Sequence, residues 1–247
     1  MLAARAGSTI ARLRAYRYIQ YLSMPNDYHQ ELIPGAYYHV YNRAVASESI
    51  FSSKWAIAAF LSRWNTYIEP YADSVAYCLM PNHFHFMLRV KPAEEWDEKK
   101  MRQENTTASA KLLAGQSSHN DFLVYQLIRA LSGFSLSYNK RKKRHGSVFQ
   151  EGVKRICLRT ESRLWWQLCY IHHNGIHHGF VFDYDEWQHS SYHDYVVRDW
   201  AQLPDHLQWL GEAGQEARQR FFQEHERFKA SWAQERLDQD SDIEPLV

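Results

Sequence analysis

Two histidines on either side of one phenylalanine are the residues of this chain best suited to bind a metal ion. His83 and His85 open an apolar segment that directly follows Pro81 and Asn82. In a β-strand, side chains two positions apart point to the same face, so the two imidazoles should project together. Imidazole binds several divalent metals, and the pair would supply half of a site. With 14 histidines in the chain, the pair could equally be a half-exposed polar face.

A tyrosine and an asparagine four positions apart could complete such a site. Tyr170 and Asn174 lie in a segment with helical spacing, so they share one helix face. The amide oxygen of Asn174 suits a hard cation such as Mg²⁺ or Mn²⁺. The phenol of Tyr170 could attack a phosphodiester if a nearby cation or base promotes its ionisation. The alternative interpretation is a packed tyrosine and a helix C-cap.

Basic residues are concentrated in the segment from Tyr138 to Arg163, although the net charge of the whole chain is only +1. That segment contains nine lysines and arginines, opposed by Glu151 and Glu161. From Asp183 onward the balance reverses, with fifteen acidic and six basic residues. This separation of charge predicts a centre that binds a polyanion, beside an acidic C-terminal extension.

Composition narrows the class of protein. A length of 247 residues and a hydrophobic content of 45% predict a packed domain rather than a disordered chain. The three cysteines form no C-x-x-C pair, which favours reduced thiols in a cytoplasmic protein, and no apolar run reaches the length of a membrane span. We predict that residues 1–32 are an N-terminal extension and that Met24 could be the native start, although a mitochondrial-type presequence would have a similar composition.

The elements that must position these side chains follow an order of strand, helix, strand, strand, helix, strand, helix. The predicted strands are 36–43, 75–80, 84–90 and 153–158, and the predicted helices are 53–68, 122–138 and 162–174. We therefore predict an α+β fold, with a ferredoxin-like antiparallel sheet and helices on one side of it. Residues 33–198 would form this domain, with a polar insertion at 91–120 that contains one short helix. Residues 199–247 would form an acidic helical extension.

The chain resembles the REP-associated tyrosine transposases, which are HUH-type (His-hydrophobic-His) enzymes with a single catalytic tyrosine. The resemblance covers roughly Pro34 to Tyr195, and its motifs occur in the order and spacing of that family. They are Tyr38-His39-Val40-Tyr41-Asn42-Arg43, Met80-Pro81-Asn82-His83-Phe84-His85, Tyr138-Asn139-Lys140, His145-Gly146-Ser147-Val148-Phe149-Gln150 and Tyr170-Ile171-His172-His173-Asn174.

The resemblance implies an HUH transposase fold and a role for each matched site residue. His83, His85 and Asn174 would bind Mg²⁺ or Mn²⁺, and Tyr170 would be the nucleophile. The implied activity is cleavage and rejoining of single-stranded DNA at hairpin-forming REP repeats, through a 5′-phosphotyrosine intermediate and without a nucleotide cofactor, in transposition or recombination. The implied protein acts in the bacterial cytoplasm as a monomer or homodimer and has no contact with a membrane.

DNA contacts are predicted along the basic segment and its flanking motifs. The predicted residues are Asn42, Arg43, Tyr138, Lys140, Arg141, Lys142, Lys143, Arg144, Phe149, Gln150, Lys154 and Arg155. Among them Tyr138 and Phe149, together with the tryptophans near position 165, could stack on unpaired bases. Gly175 departs from the proline usual after the asparagine, and its flexibility is predicted to loosen Asn174. The alternatives are a hairpin-binding module that has lost catalysis and an unrelated metal hydrolase that uses water.

Overall fold

Four strands and a set of helices make up the part of the chain that can be described. In a computed structural model of the protein, residues 27–241 are described, with side chains described up to residue 234. The strands are β1 (Tyr37–Arg43), β2 (Ala72–Met80), β3 (His83–Val90) and β4 (Lys154–Leu158). The α-helices are α1 (Lys54–Tyr67), α2 (Glu98–Glu104), α3 (Thr107–Leu113), α4 (His119–Lys142), α5 (Glu161–His177), α6 (Tyr192–Val196) and α7 (Gln215–Ser241).

The sheet has the strand order β2-β3-β1-β4, and every neighbouring pair is antiparallel. β1 and β2 are joined through α1, β2 and β3 form a hairpin, and β3 and β4 are joined through the segment that contains α4. This order of two crossovers around a hairpin is the ferredoxin-like arrangement. The predicted α+β, ferredoxin-like fold is confirmed.

Helices cover both faces of the sheet, so the prediction that they lie on one side is wrong. On one face, Phe84 and Phe86 pack into a core with Phe60 of α1 and Phe134 of α4. On the other face, Met87 belongs to a second core, with side chains from α5 and α7. The physical reason lies in β3, which is apolar at nearly every position after His85, as expected of a strand buried on both faces.

Helix α5 continues one turn beyond its predicted end. The hydroxyl of Thr160 caps its start by accepting a hydrogen bond from the Arg163 amide. The helix then passes through Gly175, where a Cβ atom would lie 3.0 Å from side-chain atoms of both Trp187 and Val181. Gly175 is therefore needed for close packing at the end of the helix, and the structure shows a tightly packed position rather than a loose one.

The polar insertion contains two α-helices, α2 and α3, rather than the one short helix predicted. Asp97 and Thr106 cap them, and Asn105 adopts a left-handed conformation that separates them. Trp96 and Met101 from this insertion are buried in the core beside α1 and α4. The insertion is thus packed onto the domain.

The two ends of the described chain also contribute to packing. Leu32 is buried in the first core, and Leu207, Leu210 and Phe221 are buried in the second. The predicted start at Met24 and the predicted presequence lie outside the described residues. Among residues 27–241, no helix is both long enough and apolar enough to span a bilayer.

Acid should destabilise the protein through a buried histidine pair that joins α5 to α7. His172 Nδ1 lies 2.8 Å from His225 Nε2, and burial lowers the pKa of His225 to about 4. The unfolded chain therefore binds more protons than the folded chain as the pH falls from about 6.5 towards 4, and stability is lost across that interval. We expect His225 alone to cost about 1–2 kcal/mol of unfolding free energy at pH 5.

Urea unfolding at pH 7, 6 and 5 measures this loss. The variant His225→Gln should show a flatter pH dependence, while His145→Gln, at an exposed position, should match the parent protein. An unchanged pH dependence in His225→Gln would contradict the assignment.

Candidate functional site

The histidine pair lies where the sequence predicts, at the start of β3. The ring centroids of His83 and His85 are 5.1 Å apart, on the sheet face opposite Phe84 and Phe86. His85 is buried and His83 is half-buried. The alternation of side chains along β3 therefore brings the two imidazoles together at the start of β3, directly after the β2–β3 turn.

A hydrogen bond orients each ring. His83 Nδ1 lies 2.6 Å from Asn82 Oδ1, which can only accept a hydrogen bond, so Nδ1 carries the hydrogen. Nε2 of His83 is therefore the nitrogen with an available lone pair. His39 Nε2 lies 2.8 Å from His85 Nδ1. Histidines that bind metals are usually held in this way through their second nitrogen, which fixes the ring orientation and tautomer.

His39 is a site residue to which the sequence analysis gave no role. Its ring stacks on Tyr41, with centroids 4.6 Å apart, and Tyr41 is the cross-strand partner of His85. Because His39 and Tyr41 are two positions apart on β1, they share the face of the sheet that carries His85. The alternation within β1 was visible in the sequence, but the pairing of β1 with β3 was needed to connect it to the histidine pair.

The three imidazoles are neutral at pH 7. Burial lowers the pKa of His39 to about 3 and, together with the neighbouring His178 and Arg43, lowers the pKa of His83 to about 4. Burial first, and then His39 and His83, lower the pKa of His85 well below its ordinary value. Neutral imidazole is the form that binds a metal ion, so this environment favours the ligand state.

The tyrosine of α5 meets the histidines of the sheet. The ring centroid of Tyr170 lies 5.7 Å from that of His85 and 6.2 Å from that of His39, with the rings nearly perpendicular in both cases. Tyr170 is half-buried. Residues separated by about 85 positions in sequence are thus brought into contact by the packing of α5 on the sheet.

Asn174 presents a buried oxygen without a hydrogen-bond partner. Its side chain is 0% exposed, and Nδ2 donates to the carbonyl oxygens of Tyr170 at 2.8 Å and Ile171 at 3.4 Å. These bonds fix the amide so that Oδ1, which has no partner, lies close enough to His83 to raise the pKa of that imidazole. A buried, unpaired amide oxygen beside two neutral imidazoles fits a divalent cation.

The side chains near His83 and His85 determine which further ligands a metal ion could find there. Within residues 27–241, no three His, Cys, Asp or Glu side chains are grouped closely enough to hold a metal ion. Beside His83 and His85, the amide oxygen of Asn174 is a further donor that could bind a cation.

No protein-family model matches the chain. A protein of Haemophilus influenzae strain Rd named "Putative REP-associated tyrosine transposase" is 26% identical over 157 residues, which are 60% of this chain and 78% of that protein. The resemblance to a REP-associated tyrosine transposase is confirmed.

A solved structure is also similar to this chain. It is described as "Structure of the REP associates tyrosine transposase bound to a REP hairpin", and the match covers 77% of this chain and 94% of that chain. The sequence identity is 13% and the TM-score is 0.46.

Most of the predicted basic residues lie on the surface. Lys140, Arg141, Lys142 and Lys143 are exposed at the end of α4, and Arg144 pairs with Glu48. An open cavity of about 420 Å³ lies beside them, lined by Leu136, Asn139, Lys140, Lys143, Arg144, His145 and Gly146. The surface that lines this cavity is called the basic groove below. It could hold the phosphates of a nucleic acid.

The basic groove is connected to the histidine pair through β1. The Gln150 amide donates to the Arg43 carbonyl at 2.8 Å, so the segment after the groove runs along the end of β1. Arg43 and Gln150 are exposed there, and Arg43 is close enough to lower the pKa of His83. Lys154 lies with its amine 5.5 Å from the ring centre of Tyr41. Two basic side chains, those of Arg43 and Lys154, therefore lie near His83 and Tyr41.

Of the aromatic residues predicted to stack on bases, Tyr138, Phe149 and Trp165 are buried, whereas Trp166 is half-buried. Tyr138 is 2% exposed and donates a hydrogen bond to Glu48, and Phe149 is 6% exposed and packs on Phe84 and Phe134. Trp165 is buried against α7 and the segment before it. The three buried side chains have no free ring face for a base. Burial also raises the pKa of Tyr138 to about 12, which disfavours that phenol as a nucleophile.

Two further residues that were predicted to contact DNA are buried and bind backbone carbonyl groups of the protein. The Arg155 guanidinium is buried and donates to the carbonyl oxygens of His29 and Gln30. The Asn42 side chain is buried, and its Nδ2 donates to the Gln150 carbonyl at 3.1 Å. Their polar groups are occupied by the backbone, so the structure does not present them to DNA.

Proposed function

We propose that the protein is a metal-dependent, transposase-like enzyme that binds hairpin-forming single-stranded DNA of the REP type. It cleaves and rejoins that DNA through a covalent 5′-phosphotyrosine intermediate. The observation that carries this proposal is the meeting of Tyr170, His85 and Asn174, which places a phenol and an unpaired amide oxygen beside two neutral imidazoles. The name of the bacterial relative supports the same class of activity.

In the proposed reaction, the chain's own residues bind, orient and attack. Tyr170 Oη forms a bond to the scissile phosphorus, the bond from phosphorus to the 3′ oxygen breaks, and the phenolic proton passes to water while the departing oxygen becomes a 3′-hydroxyl. His83, His85 and Asn174 would hold a Mg²⁺ or Mn²⁺ ion, which would stabilise the negative charge that develops on the phosphate. Attack by a 3′-hydroxyl reverses the step and joins strands without ATP, because the phosphotyrosine conserves the ester bond.

The basic groove would bind the DNA backbone. Lysines and arginines that neutralise phosphates release counterions, so affinity should fall steeply with salt concentration. Arg43 is near His83, and its carbonyl binds the segment that follows the groove, so its guanidinium would contact the strand at the site. The basic side chains of the groove would supply affinity that does not depend on the base sequence. Contacts to phosphates position the nucleic acid, whereas contacts to base edges distinguish one sequence from another.

Covalent trapping tests the proposal. We expect the protein, incubated with a library of single-stranded hairpin oligonucleotides and Mn²⁺, to form an adduct that survives denaturing gel electrophoresis, and we expect EDTA to prevent it. Hairpin binding at low salt without an adduct at any metal concentration would support the binding-only alternative. Neither binding nor an adduct would refute both.

A further inference from the structure

Tyr170 contacts two sets of aromatic side chains. Its ring is nearly perpendicular to the rings of His39 and His85. The indole of Trp166 stacks on the phenol, with ring centroids 5.0 Å apart and the planes 11° from parallel. Trp166 and Tyr170 are four residues apart on α5 and therefore share one face of the helix. The orientation of the tyrosine ring thus depends on a neighbour that is not a ligand or a nucleophile.

Trp166 is in turn held by the C-terminal helix. Phe228 of α7 packs edge-on against the indole, with centroids 5.9 Å apart at 66°. Trp232, one turn further along α7, stacks on Phe228 at 5.9 Å and contacts His173 at 5.7 Å and His177 at 4.8 Å, both on α5. A row of aromatic rings therefore runs from α7 across α5 to Tyr170.

The buried polar network behind this row fixes where α7 lies. His225 of α7 bonds to His172 of α5, and the other nitrogen of His172 lies 2.9 Å from the Ser191 hydroxyl. Phe228 follows His225 by three residues and so lies on nearly the same face of α7. The hydrogen bonds set the register of α7 on α5, and this register places Phe228 against Trp166.

We infer that Trp166 is a positioning residue for Tyr170, and that the acidic C-terminal helix holds it in place through Phe228. The inference rests on the proposed function, since it assigns the stack a role in presenting the nucleophile. The Tyr170 side chain is half-buried, so the loss of a packing neighbour would leave more rotamers open to the phenol. Aligning a nucleophile with the scissile bond is worth orders of magnitude in rate, and a displacement of about 1 Å can cost about 100-fold.

Single-turnover trapping with a hairpin and Mn²⁺ tests this role. We expect Trp166→Ala to form the adduct about 10- to 100-fold more slowly, with hairpin affinity within about twofold of the parent protein. Trp166→Phe, which keeps a ring for stacking, should recover most of the rate. Phe228→Ala should slow the reaction by a smaller factor, and adding it to Trp166→Ala should have little further effect, since both act through one contact.

A matched control separates positioning from stability. Phe222 is also a half-buried aromatic residue of α7, but it packs on Phe221 and Tyr192. Phe222→Ala should leave the adduct rate unchanged. An unchanged rate in Trp166→Ala would overturn the inference. So would equal losses in Phe228→Ala and Phe222→Ala, or a loss in Trp166→Ala that follows hairpin affinity and thermal midpoint.

A readout on the protein alone keeps the inference distinct from the proposed function. With 3-fluorotyrosine incorporated, the fluorine resonance of Tyr170 is identified by its absence in Tyr170→Phe. Phe228→Ala should shift or broaden that resonance, because it releases Trp166, and Phe222→Ala should not. If no hairpin gives an adduct, the proposed function fails while this measurement still decides the inference. A Tyr170 resonance unchanged by Phe228→Ala would overturn it.

Discussion

Tyr170→Phe is expected to abolish the covalent protein–DNA adduct, with a loss on the order of 10³-fold or more in trapping rate. The substitution removes only the hydroxyl group, so the ring remains stacked on Trp166 and in edge contact with His39 and His85. The fold and the metal ligands should therefore be unchanged. Adduct yield on a denaturing gel, measured beside hairpin affinity at fixed salt, gives the result.

A second phenol beside the same histidines provides the control. The ring centroid of Tyr41 lies 5.6 Å from that of His85, about the same distance as that of Tyr170. Tyr41→Phe should retain the adduct, because Tyr41 lies on β1 and stacks on His39, whereas Tyr170 shares α5 with Asn174. Tyr138→Phe should also retain it. An adduct of unchanged yield in Tyr170→Phe would exclude Tyr170 as the nucleophile, and its loss in Tyr41→Phe would transfer that role to Tyr41.

The order of elements could be predicted from the sequence because each strand and helix has its own periodicity. The strand around His83 and His85 and the helix around Tyr170 and Asn174 could be recognised from spacings of two and four residues. The number of covered faces was predicted wrongly. In β2 and β3 apolar residues occupy both parities, as in Cys78 and Leu79, and this pattern is typical of a strand buried on both sides.

The sequence predicts His83, His85, Tyr170 and Asn174, but it predicts the residues around them less completely. Tyr138 was expected on the DNA surface because it adjoins the basic run, yet it follows Phe134 by four residues and belongs to the apolar stripe of α4. The position of His39 beside His85 depends on the pairing of β1 with β3. The contact between Trp166 and Phe228 joins residues 62 positions apart. Contacts of this kind depend on tertiary packing, and a single sequence carries no periodic signal for them.

His83→Ala is expected to weaken binding of the proposed metal ion and, with it, the proposed adduct formation. His83 is the better ligand to substitute, because it is half-buried and its Nδ1 bonds only to the neighbouring Asn82, whereas His85 is buried and bonded to His39. We expect the affinity for Mn²⁺ in isothermal titration to fall on the order of 10²-fold or more, since loss of a ligand exceeds the 10- to 100-fold effect of an outer partner. Adduct formation at a fixed Mn²⁺ concentration should fall at least in proportion.

The adjacent imidazole of His178 separates ligand loss from a general change in the surroundings. Its ring centroid lies 5.0 Å from that of His83, but His178 is exposed at the end of α5 and is not one of the proposed ligands. His178→Ala should therefore keep Mn²⁺ affinity within a few-fold of the parent protein. If His83→Ala binds Mn²⁺ as tightly as the parent does, the ion is not held by the histidine pair, and Tyr170 would have to act without it. If both variants lose affinity equally, His178 belongs in the ligand set beside Asn174.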